Sequence, residues 1–166
     1  MAQCATDLGD RVIFKAPIEY DQAQIEGLAE AVVAANGRVL EVRGFNRESA
    51  FDRRFLDEAT GKVEAVLNAA FGSYFGVGPA ERYDDLFEQI CDFAEKLAKD
   101  HIFFDGNKRT TVKVSLGLLL QQGIELDLAD GVNPEDNELY EWIEGLVTGR
   151  VSKDHLAAFL RERTSY

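Results

Sequence analysis

The sequence predicts a mainly α-helical fold with at most a small β-hairpin, near the N-terminus or in a glycine-rich flap. Three features carry that expectation. Leu86, Ile90, Phe93 and Leu97 recur at the spacing of one helix face. The run VKVSLGLLL, Val112 to Leu120, is apolar almost all round and reads as a buried central helix. Leu139, Trp142, Ile143 and Leu146 form a third apolar stripe.

Taken in order, the chain opens with RVIFK, Arg11 to Lys15, a β-branched and aromatic run followed by a turn at Pro17. Asp21 and Gln24 have capping-box spacing ahead of a helix that buries Ile25, Leu28, Val32 and Ala35. Gly37 stands where a helix C-cap glycine belongs, which leaves Arg38 to Val42 as a second short strand. Arg43 to Asp57 is polar and irregular. A helix follows from Glu58 to Phe71, with Val63, Val66, Leu67 and Ala70 facing inward. Gly72 to Pro79, GSYFGVGP, reads as a loop or flap, because its glycines and proline break both regular structures. The next helix starts at Asp84 or Asp85 and runs to Lys99. Another runs from Asn107 to Gln122, with Gly123 as its stop. Pro134 fits the first turn of a helix over Glu135 to Val147. Ser152 caps a last helix that buries Leu156, Phe159 and Leu160.

The whole is read as one domain over residues 1–166, with no internal repeat. A formal net charge of −12 repels a phosphate backbone, so no direct nucleic-acid binding is expected, whereas a basic protein face would be steered toward this surface. No apolar run reaches the ~20 residues of a membrane-spanning helix, and Met1 to Asp10 does not read as a signal peptide. Two cysteines, Cys4 and Cys91, give neither ligand spacing nor a disulfide framework, so a cytoplasmic location is expected.

The segment that carries chemistry is Asp100 to Thr111, DHIFFDGNKRTT, a loop running into a helix. The first turn of a helix offers unpaired N–H groups and a partial positive charge, a natural site for phosphate. Gly106 permits close backbone approach to a ligand, and Asn107, Lys108 and Arg109 add an amide, a point charge and a planar fork there. Two cations at a helix N-terminus oppose the helix dipole, a conflict that a bound anion relieves. His101 suits proton transfer near neutral pH, and Asp105 supplies a hard oxygen suited to Mg²⁺. Base, metal ligand and phosphate clamp together are what phosphoryl or nucleotidyl transfer needs. Each residue alone has a plainer reading, as turn, surface or core; Phe103 and Phe104 read as anchors that pin the loop, and His155 as structural.

This stretch resembles the Fic/Doc family motif, H-x-F-x-[DE]-x-N-[GK]-R, at every fixed position: His101, Phe103, Asp105, Asn107, Lys108 and Arg109. The segments DEATGKVEAVLNAAFGSYFG and DLFEQICDFAEKLAKDHIF look like the helix, flap and helix that precede the motif in Doc proteins. The similarity covers residues 57–163 as a Doc-like core, with residues 1–50 an extension of open role. Ile102 departs from the proline common in the family.

The resemblance implies a small helical bundle around the motif loop and a nucleotide-dependent transferase using ATP or another NTP with Mg²⁺. His101 would be the general base. Asp105 would bind the metal or orient the acceptor, and Arg109 would complete the catalytic set. Gly106, Asn107, Lys108 and Arg109 would bind the nucleotide. The flap residues Ser73, Tyr74, Phe75, Gly76 and Val77 would hold the target by strand pairing. Lys108, where AMP-transferring Fic enzymes usually carry Gly, points to the Doc form, which transfers the terminal phosphate to a Ser or Thr hydroxyl of a target such as a translation elongation factor. Gly106 is shared with the Fic form, which keeps AMPylation as the alternative, and a silent binding protein on the same scaffold is the second. The family's inhibitory pattern, [ST]-x-x-x-E-[GN], has its nearest match at Thr60 to Glu64, but Ala65 breaks it. The resemblance therefore implies a toxin of a toxin–antitoxin system, restrained by a separate antitoxin chain.

Overall fold

The structure, a computed structural model, describes residues 15–42, 53–129, 131 and 134–165. Seven α-helices among the described residues make up the fold: α1 Gln22–Val42, α2 Arg53–Phe71, α3 Pro79–Arg82, α4 Leu86–Lys99, α5 Asn107–Gln121, α6 Glu138–Thr148 and α7 Lys153–Arg163. None of them is long and apolar enough to cross a membrane. The mainly helical class is as the sequence predicts. The strand expected over Arg11 to Lys15 lies, apart from Lys15, outside the described residues.

The approach to α1, residues 15–21, has no regular secondary structure and is held by a buried glutamine. Gln89 of α4 accepts the Ile18 N–H at 2.8 Å and donates to the carbonyls of Ile18 and Ala70. A fully buried amide satisfied on both sides fixes a crossing that no secondary structure supports. Asp21 and Gln24 form the capping box that their spacing predicts.

Helix α1 does not stop at Gly37, and Arg38 to Val42 is helix rather than strand. Val39 and Leu40 are buried. Their burial, about 1.5–3 kcal/mol each, outweighs the ~1 kcal/mol that a mid-helix glycine costs. Helix α2 starts at Arg53, ahead of the expected Glu58, because Phe55 and Leu56 already pack on the core.

Helix α4 is the spine of the core, with Leu86, Phe87, Ile90, Phe93 and Leu97 buried. Asp85 caps it by accepting the Glu88 N–H at 2.9 Å, and Glu88 accepts the Asp84 N–H in return. Arg161 of α7 holds Asp85 through two hydrogen bonds, which ties the C-terminal helix to this cap. Phe71 of α2 meets Phe93 edge-on at 5.6 Å.

Helix α5 packs on α1, α4 and α6 and buries Thr110, Thr111, Val112, Ser115, Leu118 and Leu119. It is not buried all round, since Leu120 is 59% exposed; three neighbouring helices leave one side open. Gly123, at φ 76°, follows its C-terminus as expected. A two-residue antiparallel ladder, β1 Glu125–Leu126 with β2 Thr164–Ser165, is an addition to the sequence reading. Pro134–Asp136 is a 3₁₀ turn, so α6 begins at Glu138, capped by Asn137, and not at Glu135. Trp142 stacks on Phe159 at 4.4 Å to join α6 to α7.

Candidate active site

The loop between α4 and α5 is built from its ends. Helix α4 closes at Asp100, and the next residue, His101, takes φ 49°. A left-handed residue after a helix C-terminus is a place for Gly. A side chain there costs roughly 1–2 kcal/mol, and His101 stands there exposed. Ile102 and Phe103 then turn inward, with Phe103 only 5% exposed, as expected of an anchor. Phe104 does not anchor: it is 66% exposed, while Ile102 and Phe103 take the core side of the turn.

Asn107 closes the loop on itself. Its Oδ1 accepts the Phe103 N–H and its Nδ2 donates to the Phe103 carbonyl, both at 3.0 Å. The amide expected to bind phosphate is thus engaged in shaping the turn. Gly106 is N-cap of α5 at φ 77°, ψ 17°. Its smallness serves α1: a Cβ there would come within 3.0 Å of Val39 Cγ1 and 3.3 Å of Asn36 Nδ2. Close approach is required at Gly106, but to the protein's own helix.

Asn36 is the residue that sequence reasoning missed. It is 3% exposed, and its Nδ2 donates to the Asp105 carbonyl at 2.8 Å and to Thr110 Oγ1 at 3.2 Å. In the sequence, Asn36-Gly37 looks like a helix stop. Only the continuation of α1 carries this side chain to the loop.

The cations at the start of α5 are paired. Lys108 Nζ lies 3.2 Å from Glu144 Oε1 and 5.6 Å from the centre of the Tyr140 ring, both on α6. Arg109 Nε donates to Glu135 Oε2 at 2.9 Å. The charge conflict at this helix N-terminus is met by two carboxylates of the chain itself, where an anionic ligand was expected. Glu135, Tyr140 and Glu144 carry no motif by which sequence alone could connect them to this loop.

A cavity of about 390 Å³ opens here. His101, Asp105, Gly106, Asn107, Lys108 and Arg109 line it, together with Phe104 and Tyr140. All the loop residues expected to act therefore line one cavity. Asp105 Oδ1 accepts the Gly106 N–H at 2.7 Å. Among the described residues no three His, Cys, Asp or Glu side chains converge as a metal site. One hard carboxylate beside a basic anion site fits Mg²⁺ of the kind whose other ligands are phosphates and waters.

The flap stands apart from the cavity lining. Tyr74 and Val77 exchange backbone hydrogen bonds at 2.9 and 2.8 Å. Between them Phe75 and Gly76 both have positive φ, the backbone of a tight two-residue hairpin. Phe75 is fully exposed at the tip, and Ser73 donates to the Val77 carbonyl. Arg82 of α3 donates to the carbonyls of Ala69, Gly72 and Val77 and lies over the Tyr74 ring. It is the brace of the flap, and the sequence gives no hint of it.

The model of the Fic/DOC family matches residues 22–116, more than half of the chain. The chain belongs to the Fic/DOC family. The matched span begins with α1, which the sequence resemblance left outside its core, and runs through the flap and the Fic/DOC motif loop into α5. Over 101 residues the chain is 30% identical to "Protein kinase doc" of Escherichia phage P1, which covers 61% of this chain and 71% of that protein.

Proposed function

We infer that this Fic/DOC chain is a Doc-type protein kinase. It transfers the terminal phosphate of ATP, or of another NTP, to a Ser or Thr hydroxyl of a target protein such as a translation elongation factor. The observation that carries this reading is Lys108 on the cavity wall, its ammonium held over Tyr140 beside Glu144. The likeness to a protein named as a kinase supports it. Gly106, which the sequence alone weighs toward AMP transfer, loses that weight because packing against α1 accounts for it.

On this reading the target hydroxyl attacks the γ-phosphorus, its proton passes to the His101 imidazole, and the bond to the β-phosphate oxygen breaks to release the nucleoside diphosphate. The left-handed backbone at His101 keeps the ring off the core and in the cavity wall. Arg109, Lys108 and the first N–H groups of α5 balance charge on the phosphates. Mg²⁺, when bound at Asp105, would neutralise charge shared between the phosphates. The flap, with Phe75 at its tip, holds the target segment by backbone pairing. A separate antitoxin chain would restrain the enzyme, in a cytoplasmic toxin–antitoxin pair.

The test is transfer from ATP labelled at the α- or the γ-phosphate, using the purified chain and a bacterial extract, with His101→Ala as control. Label on a protein from γ-labelled ATP alone, reduced roughly 10²-fold or more in the variant, is the expected result. Label from the α-position would make the chain an AMP transferase, and no label from either would favour a binding protein.

A further inference from the structure

The peptide plane between Asp105 and Gly106 is held at both ends. Its carbonyl accepts the Asn36 amide at 2.8 Å, and its N–H is accepted by the Asp105 carboxylate at 2.7 Å. The orientation of that carboxylate therefore follows from the orientation of the plane. Glycine at position 106 makes the plane easy to turn, since it populates either sign of φ, and no other residue fits against Val39 there without displacing it. Packing has thus placed the most pliable residue next to the loop carboxylate that lines the cavity, and a buried donor from α1 removes the freedom that this creates.

We propose that Asn36 is a positioning residue for Asp105: by fixing the Asp105–Gly106 peptide it aims the carboxylate at the cation that accompanies the nucleotide. This rests on the phosphotransfer reading. Asn36 does not line the cavity, and its second bond joins α1 to α5 at Thr110 Oγ1, a structural contact. The two bonds can be removed separately. Asn36→Leu removes both, and Thr110→Val removes only the structural one.

The experiment is ATP binding by calorimetry across a Mg²⁺ titration, for the wild-type chain and both variants, with melting temperatures measured in parallel. Outer partners of a metal-ligating carboxylate typically change metal affinity 10–100-fold. Asn36→Leu should raise the Mg²⁺ concentration needed for half-maximal effect by about tenfold or more, and Thr110→Val by no more than about twofold. Equal Mg²⁺ dependence in the two variants overturns the proposal. Because Asn36→Leu could unfold the chain, amide exchange in the wild type gives a second reading: the Gly106 N–H should exchange as slowly as that of Thr110, and exchange at the rate of an open loop also overturns it. If the wild-type chain transfers no label and binds no ATP, the functional reading fails, while Gly106 exchange still decides whether the plane is held.

Discussion

Lys108 Nζ and Glu144 Oε1 stand 3.2 Å apart, so the ammonium that would meet a phosphate already has a carboxylate partner. Arg109 has the same relation to Glu135. On the proposed function, a nucleotide takes these cations from their partners. Glu144→Gln and Glu135→Gln should each bind ATP more tightly. A partly exposed ion pair is worth at most about 1 kcal/mol, so the gain is bounded at about fivefold per variant. Calorimetry at low and high salt checks this, and weaker binding by either variant would show that the carboxylate aids the site.

His101, the proposed base, sits on a strained left-handed backbone. Replacing it by Gly removes the imidazole and also the left-handed penalty of roughly 1–2 kcal/mol, part of which returns as chain entropy. His101→Gly should therefore melt no lower than the wild type, and up to about 4 °C higher, while transfer falls roughly 10²–10⁴-fold. Melting curves and the label assay on one preparation suffice. A clear loss of stability in the Gly variant would mean that the imidazole makes a structural contact worth more than the strain.

Arg82 braces the flap from beneath, with Nη2 2.9 Å from the Gly72 carbonyl and Nη1 3.1 Å from that of Val77. Arg82→Met keeps bulk against Tyr74 and removes the donors. The expected result is a loss of about 1–3 kcal/mol, since several carbonyls lose charged donors. KM for the target protein should rise while the affinity for ATP stays unchanged, because Arg82 does not line the cavity. Equal effects on both substrates would count against a target-holding flap.

The helices were legible where an apolar stripe and a polar cap coincide, as in α4 with Asp85 and α7 with Ser152. They were misread where a local signal met a tertiary one. Gly37 is a good stop in isolation, yet Val39 and Leu40 find a core beyond it and α1 continues. That misreading hid Asn36 from the site, because a residue at a helix end has no reason to touch a loop 69 positions away. The motif residues were legible through their types and spacing, and the cavity gathers them. Their internal division of labour was not: Asn107 and Gly106 serve the loop's own shape, and the partners of Lys108 and Arg109 come from a segment whose acidity alone says nothing about where it folds.

Asp92 predicts how the bundle responds to acid. It is buried on α4 and receives hydrogen bonds from the Tyr83 hydroxyl, from Lys153 at 2.9 Å and from Lys96 at 3.2 Å. Burial pushes its carboxyl up, but the bonds from Tyr83 and Lys153 and the charge of Lys96 outweigh that and hold it below its usual range. A carboxylate depressed in the folded state adds stability that is fully present above its unfolded value, about 3.9. That stability is lost as pH falls through the lower, folded value. Asp92→Asn keeps the shape and removes the charge. It should cost about 1–3 kcal/mol at pH 7, through weaker bonds from two lysines and a tyrosine. Below about pH 4 the gap to the wild type should narrow, as the wild-type carboxyl is itself protonated. Urea titrations from pH 3 to pH 7 on both proteins measure that gap, and a constant difference across the range would mean that Asp92 contributes through packing and not through its charge.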